Sequence, residues 1–339
     1  MCRFLITNIA LFLSAARIFA LDGYWQKIYC DSSNRPFHSF QTIAIDYWQN
    51  LFVGTSKSEV FRSKDFGLTW QLVHKDSDRF PNLSRTVSSI VIMPNGHVVA
   101  CKWNDGIYLS EDHGESWMCK GLDGYSINKA GVHPDGRIYI ASQGPTGLYT
   151  SHDEGIHWVK IKEKYPDFHK EYNIYSIAFG ANYKIYLIVD GIAACSDNEA
   201  PYGFLLNRSL ICQSIFVAKD QTIIIGMHNG TVLLSSDNGR SFVSVSIPDQ
   251  NSCIDCFAED RDGNLYFGTR DNGIWRSINR GLTWTKEIIE QTDINELVAD
   301  SSGVIYAAAE FGVFKRIDKP LAVREQKPVS QPSCTLFPA

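Results

Sequence analysis

The chain has 339 residues, enough for two ordinary domains or one large all-β domain. Its net charge of −5 gives no basic surplus, so nucleic acid is not an expected partner. A 44% hydrophobic share, 20% charged residues and 25 Gly with 12 Pro exclude a disordered, collagen-like or coiled-coil chain.

Residues 1–20 read as a secretory signal peptide. Arg3 precedes an apolar run from Phe4 to Ala16, and small residues stand at Ala15, Ala16 and Ala20. The run is shorter than the ~20 apolar residues that cross a bilayer. No later stretch is long and apolar enough to do so, and the mature chain is expected to be secreted or periplasmic. Cys2 leaves with the signal, which leaves eight cysteines: Cys30, Cys101, Cys119, Cys195, Cys212, Cys253, Cys256 and Cys334. Their even number allows disulfides, and several fall on apolar runs where Cys serves as a small hydrophobe.

From Ser63 onward one pattern recurs, Ser-x-Asp-x-Gly-x-Thr/Ser-aromatic. It reads SKDFGLTW at Ser63, SEDHGESW at Ser110, SHDEGIHW at Ser151, SSDNGRSF at Ser235 and, with Asn279 for Asp, SINRGLTW at Ser277. A degraded copy begins at Ser196, and successive starts lie 47, 41, 45, 39 and 42 residues apart. That period suits one four-stranded propeller blade. A second marker keeps the same beat. A turn rich in Asn, Asp and Gly precedes an apolar strand at Gln49, Asn95, Asp135, Asn182, Asp220, Asp262 and Ser302. Asn-Gly and Asp-Gly tolerate positive φ, so each should join two antiparallel strands.

Seven turns stand against six boxes, because the chain after Ser302 holds three strands and then a Pro-rich segment. YWQKIYC at Tyr24 aligns with TWQLVHK at Thr69, where the first box ends. The N-terminal strand is therefore expected to complete the last blade and close the ring. The expected fold is all-β, a seven-bladed β-propeller of four-stranded antiparallel blades over 21–318, followed by a flexible tail at 319–339.

The boxes resemble the Asp-box, or bacterial neuraminidase repeat, shared by sialidases, sortilin-type receptors, xyloglucan-cleaving glycosidases and photosystem II assembly factors. The resemblance implies a propeller whose box is a structural turn between the third and fourth strands. Physical chemistry points the same way: an Asp carboxylate accepts bonds from its own turn, Gly permits the bend, and the aromatic packs between sheets. Asp65, Asp112, Asp153 and Asp237 are accordingly assigned to structure. A sialidase would also need an Arg triad and a Phe/Tyr-Arg-Ile-Pro motif. The one Arg-Pro pair, Arg35-Pro36, lacks that context.

In an up-and-down blade the loops between strands 1–2 and 3–4 share one face with the boxes, and the 2–3 and inter-blade loops share the other. The 2–3 loops present Trp103, Asp105, Gln143, Asp190, His228, Arg270, Asp271, Glu310 and Phe311. Aromatic, carboxylate and Arg side chains around one mouth suit a carbohydrate or a peptide. Asp105, Asp271 and Glu310 are the candidates for a catalytic carboxylate pair, which glycoside hydrolysis needs ~5–10 Å apart.

No two of the nine His lie at metal-ligand spacing, so no metal site or cofactor is expected. His113 and His157 fall inside boxes, and His97 and His133 flank turns. CIDC at Cys253 belongs to an innermost strand rather than a helix N-terminus, so structural thiols are expected there. Glycosylation triplets start at Asn82, Asn207 and Asn229. The leading functional expectation is a monomeric, exported, non-catalytic propeller that binds a protein or glycan. A glycan-active hydrolase or lyase is the alternative, and an assembly or sensor propeller is a third.

Overall fold

A computed structural model describes residues 24–29, 39–75, 86–143, 147–161, 173–181, 183–197, 203–206, 210–247, 252–287 and 292–317. The proposed signal at 1–20, the tail at 319–339, Cys30, Cys334, Asn82 and Asn207 lie outside them.

The described residues form seven sheets of four antiparallel strands, with no helix among them. Blades 1 to 6 run in chain order over 40–74, 87–119, 127–160, 174–204, 212–246 and 254–287. Blade 7 takes its three inner strands from 294–317 and its outermost strand from Tyr24–Tyr29. Each innermost strand contacts those of its two neighbours, from blade 7 back to blade 1, so the ring is closed. Each innermost strand is the edge of its own sheet, and closure turns those seven edges towards the centre of the ring, where they are short and protected. Residues 25–316 make up one compact unit.

The core is divided in the same way. Seven apolar clusters fill the seven gaps between neighbouring blades. A blade packed on both faces cannot alternate apolar with polar side chains, which explains the continuously buried second strands LFVGT, VVACK, IYIAS, IIIGM, LYFGT and IYAAA. Blades approach closely at Gly268. A Cβ there would lie 2.4 Å from Ile294 Cγ2 in the next blade.

The boxes form one repeated turn between the third and fourth strands. In blade 1, Ser63 Oγ donates to Asp65 Oδ1 at 2.7 Å, Gly67 N donates to Ser63 Oγ at 2.8 Å, and Thr69 N donates to Asp65 Oδ1 at 2.8 Å. Thr69 Oγ1 donates to the second carboxylate oxygen at 2.6 Å. Asp112 and Asp237 hold the same bonds in their own turns, Asp153 meets His157 Nδ1 in place of a hydroxyl, and Asn279 keeps the backbone bond while its Nδ2 donates to Thr283 Oγ1. Donors crowded round the carboxylate hold Asp65, Asp112 and Asp153 down at about 2, and Asp237 is depressed as well.

The 1–2 turns also repeat. Gln49, Gly96, Gly136, Tyr183, Gln221, Gly263 and Gly303 occupy equivalent positions with φ between 61° and 94°. Gly supplies that conformation at four of them, as the Asn-Gly and Asp-Gly signals predict.

Two box and turn histidines are more than surface residues. The His113 ring centroid lies 3.9 Å from that of Trp48, and the His113 carbonyl accepts from the buried Arg62 Nη1 at 2.6 Å. His133 is 2% exposed, stacks on Tyr183 and pairs with Asp135 at 2.8 Å.

Candidate functional site

The face that carries the 2–3 loops is built from two local devices, each used once per blade. The first is a bulge. In every innermost strand the pairing register slips across the second residue, leaving Gln41, Ser88, Asn128, Tyr175, Gln213, Asp255 and Asn295 unpaired in the ladder. Bulges re-aim side chains. All seven residues are solvent-accessible, although the residue before each is buried. They make an inner ring of carboxamides, a hydroxyl, a phenol and one carboxylate around the central channel.

The second device pins the loops. The first residue of each 2–3 loop donates its N–H to the residue two before the innermost strand's bulge. Trp103 donates to Thr86 O at 2.8 Å, Gln143 to Ser126 O at 2.8 Å, Asp190 to Asn173 O at 2.9 Å and His228 to Ile211 O at 3.1 Å. Ser56, Arg270 and Glu310 do the same, bonding Ser39, Cys253 and Asp293. These residues therefore form an outer ring, one per blade, concentric with the inner one.

Six of the nine loop residues picked out by sequence are members of that outer ring: Trp103, Gln143, Asp190, His228, Arg270 and Glu310. Asp271 and Phe311 follow two of them and are exposed, Phe311 at 56%. Asp105 is instead 8% exposed, with its carboxylate accepting from Tyr108 Oη at 3.0 Å. The candidate carboxylates do not converge as a trio. Asp105 is in blade 2, Asp271 in blade 6 and Glu310 in blade 7, where both of the last two bond Asp293 through their backbone N–H.

The inner ring was not picked out from sequence. Its signal is nevertheless there, as a polar residue after the first apolar one in FQTI, VSSI, INKA, IYSI, CQSI, IDCF and INEL. Mistaking it for ordinary strand alternation hides the bulge.

Two ion pairs lie on and just below this face. Arg270 Nη2 reaches Asp255 Oδ1 at 3.4 Å, and burial raises the Asp255 pKa above its usual value. One residue deeper, Lys129 of blade 3 pairs with Glu296 of blade 7, and Thr42 Oγ1 of blade 1 donates to the same carboxylate at 2.5 Å. Three blades thus meet in one charged tie. Cys253 and Cys256 are free and buried, with burial pushing Cys253 up to about 12 and Cys256 higher. Among the described residues no group of three His, Cys, Asp or Glu has metal-site geometry, and no helix is long and apolar enough to cross a membrane.

Two cavities open on the two faces. One, of about 330 Å³, lies at the channel mouth against Gln41, Thr86, Ser88, Trp103 and Asn128. A larger one, of about 410 Å³, lies on the box face between blades 5 and 6, lined by groups that include Lys219, Glu259 and Arg280. Lys219 and Arg280 are already engaged there, by Asp260 O and Asp220.

Residues 247–271 match the family described as two component regulator propeller. The chain is similar to YCF48 bound to D1 peptide, with a TM-score of 0.70, 12% identity, and coverage of 89% of this chain and 98% of that one. It is similar to virginiamycin B lyase from Staphylococcus aureus in complex with quinupristin, with a TM-score of 0.71, 11% identity, and coverage of 88% and 100%. It also resembles the extracellular domain of the putative one component system BT4673 from B. thetaiotaomicron, with a TM-score of 0.70 and 16% identity. There it covers 86% of this chain and 40% of that one. No curated protein matches the sequence. The shared property is the β-propeller fold. The short family match does not extend to the Asp-box repeat.

Proposed function

We propose that the protein is an exported, non-catalytic propeller that binds a partner, a protein or a glycan, on the face that carries the 2–3 loops. The observation that carries this reading is the pair of concentric rings. Seven blades each contribute an accessible polar bulge residue and a pinned loop residue to one mouth, while the residue before each bulge is buried. Trp103, Gln143, Asp190, His228, Arg270, Asp271 and Phe311 are the proposed contacts. Asp65, Asp112, Asp153 and Asp237 serve the turns of the opposite face.

Export rests on residues 1–20, and the extracellular setting named for the BT4673 domain agrees with it. The peptide bound to YCF48 supports a propeller of this shape as a binding scaffold. Screening the purified chain on peptide and glycan arrays tests the reading. Binding should weaken in Arg270→Ala or His228→Ala and persist in Arg280→Ala on the other face. Binding that follows the box face instead would overturn it.

Hydrolysis is the second reading, because Asp271 and Glu310 stand on neighbouring blades around Asp293. Release of reducing ends from a polysaccharide, abolished by Asp271→Ala, would replace the first reading with this one.

A further inference from the structure

We infer that the channel-mouth cavity between blades 1, 2 and 3 is a subsite for a neutral saccharide, an inference that rests on the 2–3 loop face being the binding face. Its volume of about 330 Å³ falls within the ~300–1,000 Å³ of small-ligand sites. Its lining is one indole, two carboxamides and two hydroxyls: Trp103, Gln41, Asn128, Thr86 and Ser88.

That set selects a ligand class. Hydroxyls and carboxamides both donate and accept, as every sugar hydroxyl does. The indole offers a flat apolar face to the C–H side of a pyranose ring. A peptide would need further apolar subsites for its side chains, and the cavity holds only one such surface. No lining residue is ionisable, and Lys129, which follows the lining residue Asn128, is paired with Glu296. Nothing in the cavity therefore compensates the desolvation of a uronate or a sialate.

The groups are also held in place. The Trp103 backbone, which sets where the indole starts, is pinned on both sides, by its N–H to Thr86 O and by a bridge to Ser126. Asn128 Nδ2 donates to Ile174 O at 2.9 Å, and Gln41 Nε2 donates to Ser39 Oγ at 2.5 Å. Orienting one end of each carboxamide beforehand lowers the ordering cost of binding.

Calorimetric titration of the full chain with cellotetraose, mannotetraose and maltotetraose tests the inference, with trigalacturonate and a peptide array in parallel. At least one neutral oligosaccharide should bind, and Trp103→Ala should weaken it about tenfold or more. Trp103→Phe, which keeps a ring, and Ser88→Ala should each cause a smaller loss. They carry the test if Trp103→Ala fails to unfold cooperatively. Peptide or trigalacturonate binding that depends on Trp103, without neutral-sugar binding, overturns the saccharide assignment and leaves the binding face standing. Sugar binding indifferent to Trp103 and Ser88 but lost in His228→Ala or Arg270→Ala overturns this cavity alone. Failure of every ligand class overturns both the subsite and the face.

Discussion

Blade-to-blade packing at Gly268 sets a quantitative test of how the ring is held. Its missing Cβ would sit 2.4 Å from Ile294 Cγ2, 2.7 Å from Ile294 Cβ and 2.7 Å from Cys256 Sγ. Ordinary contact begins at 3.4 Å, so Gly268→Ala requires the first strand of blade 7 to retreat by about 1 Å. Ile294 is fully buried in one apolar cluster with Leu297, Ile305 and Ala307. Overpacking of this kind costs ~1–3 kcal/mol. Ile294→Ala alone removes the obstructing Cγ2 but opens a cavity, at ~2–5 kcal/mol. The double variant removes the 2.4 Å clash with Cγ2 but keeps the 2.7 Å approaches to the residue-294 Cβ and to Cys256 Sγ, so the relief is partial. Its total loss should therefore fall short of the sum of the singles by about 1 kcal/mol. Guanidinium unfolding followed by tryptophan fluorescence and by circular dichroism gives the four stabilities, provided the two probes coincide. Additivity within ~0.5 kcal/mol, or a neutral Gly268→Ala, would show that the blades do not meet at this position as described.

Three further outcomes follow from the same contacts. Asp65, Asp112 and Asp153 titrate near about 2 in their turns against 3.8 ordinarily, so their contribution is present above pH ~4 and is lost as pH falls towards 2. Melting temperatures between pH 2 and 6 should show that loss, and Asp112→Asn, which copies the natural Asn279 box, should make it shallower. Removing one member of the Lys129–Glu296 tie strands a partly buried charge. Lys129→Met should cost ~2–4 kcal/mol in urea unfolding, and Lys129→Met with Glu296→Met should cost less than that single change. Finally, iodoacetamide at pH 8 should alkylate Cys119, the exposed thiol among the described cysteines, well before Cys101 or Cys256, as peptide mass mapping would show. Equal rates would contradict their burial.

The fold was legible because every blade announces itself at its 1–2 turn and six of the seven do so again at a box, one of them degraded. Even the closing strand could be placed, since YWQKIYC carries the signature of the strand after a box while lying far from one in sequence. The candidate site was legible in part. Loop residues such as Trp103 and Arg270 follow directly from knowing which loops share a face. Asp105 is buried and bonded to the Tyr108 hydroxyl, which its loop position alone does not reveal.

The sequence by itself determined the repeat, the number of blades and which loops share a face, because these depend on local turns and strand periods that recur every ~40 residues. Only the tertiary structure decided what lies at the centre. The bulges that turn Gln41, Ser88 and Asn128 into the channel are register shifts between paired strands, and pairing is not local. The meeting of Lys129 with Glu296, 167 residues apart in the chain, exists only once the ring has closed.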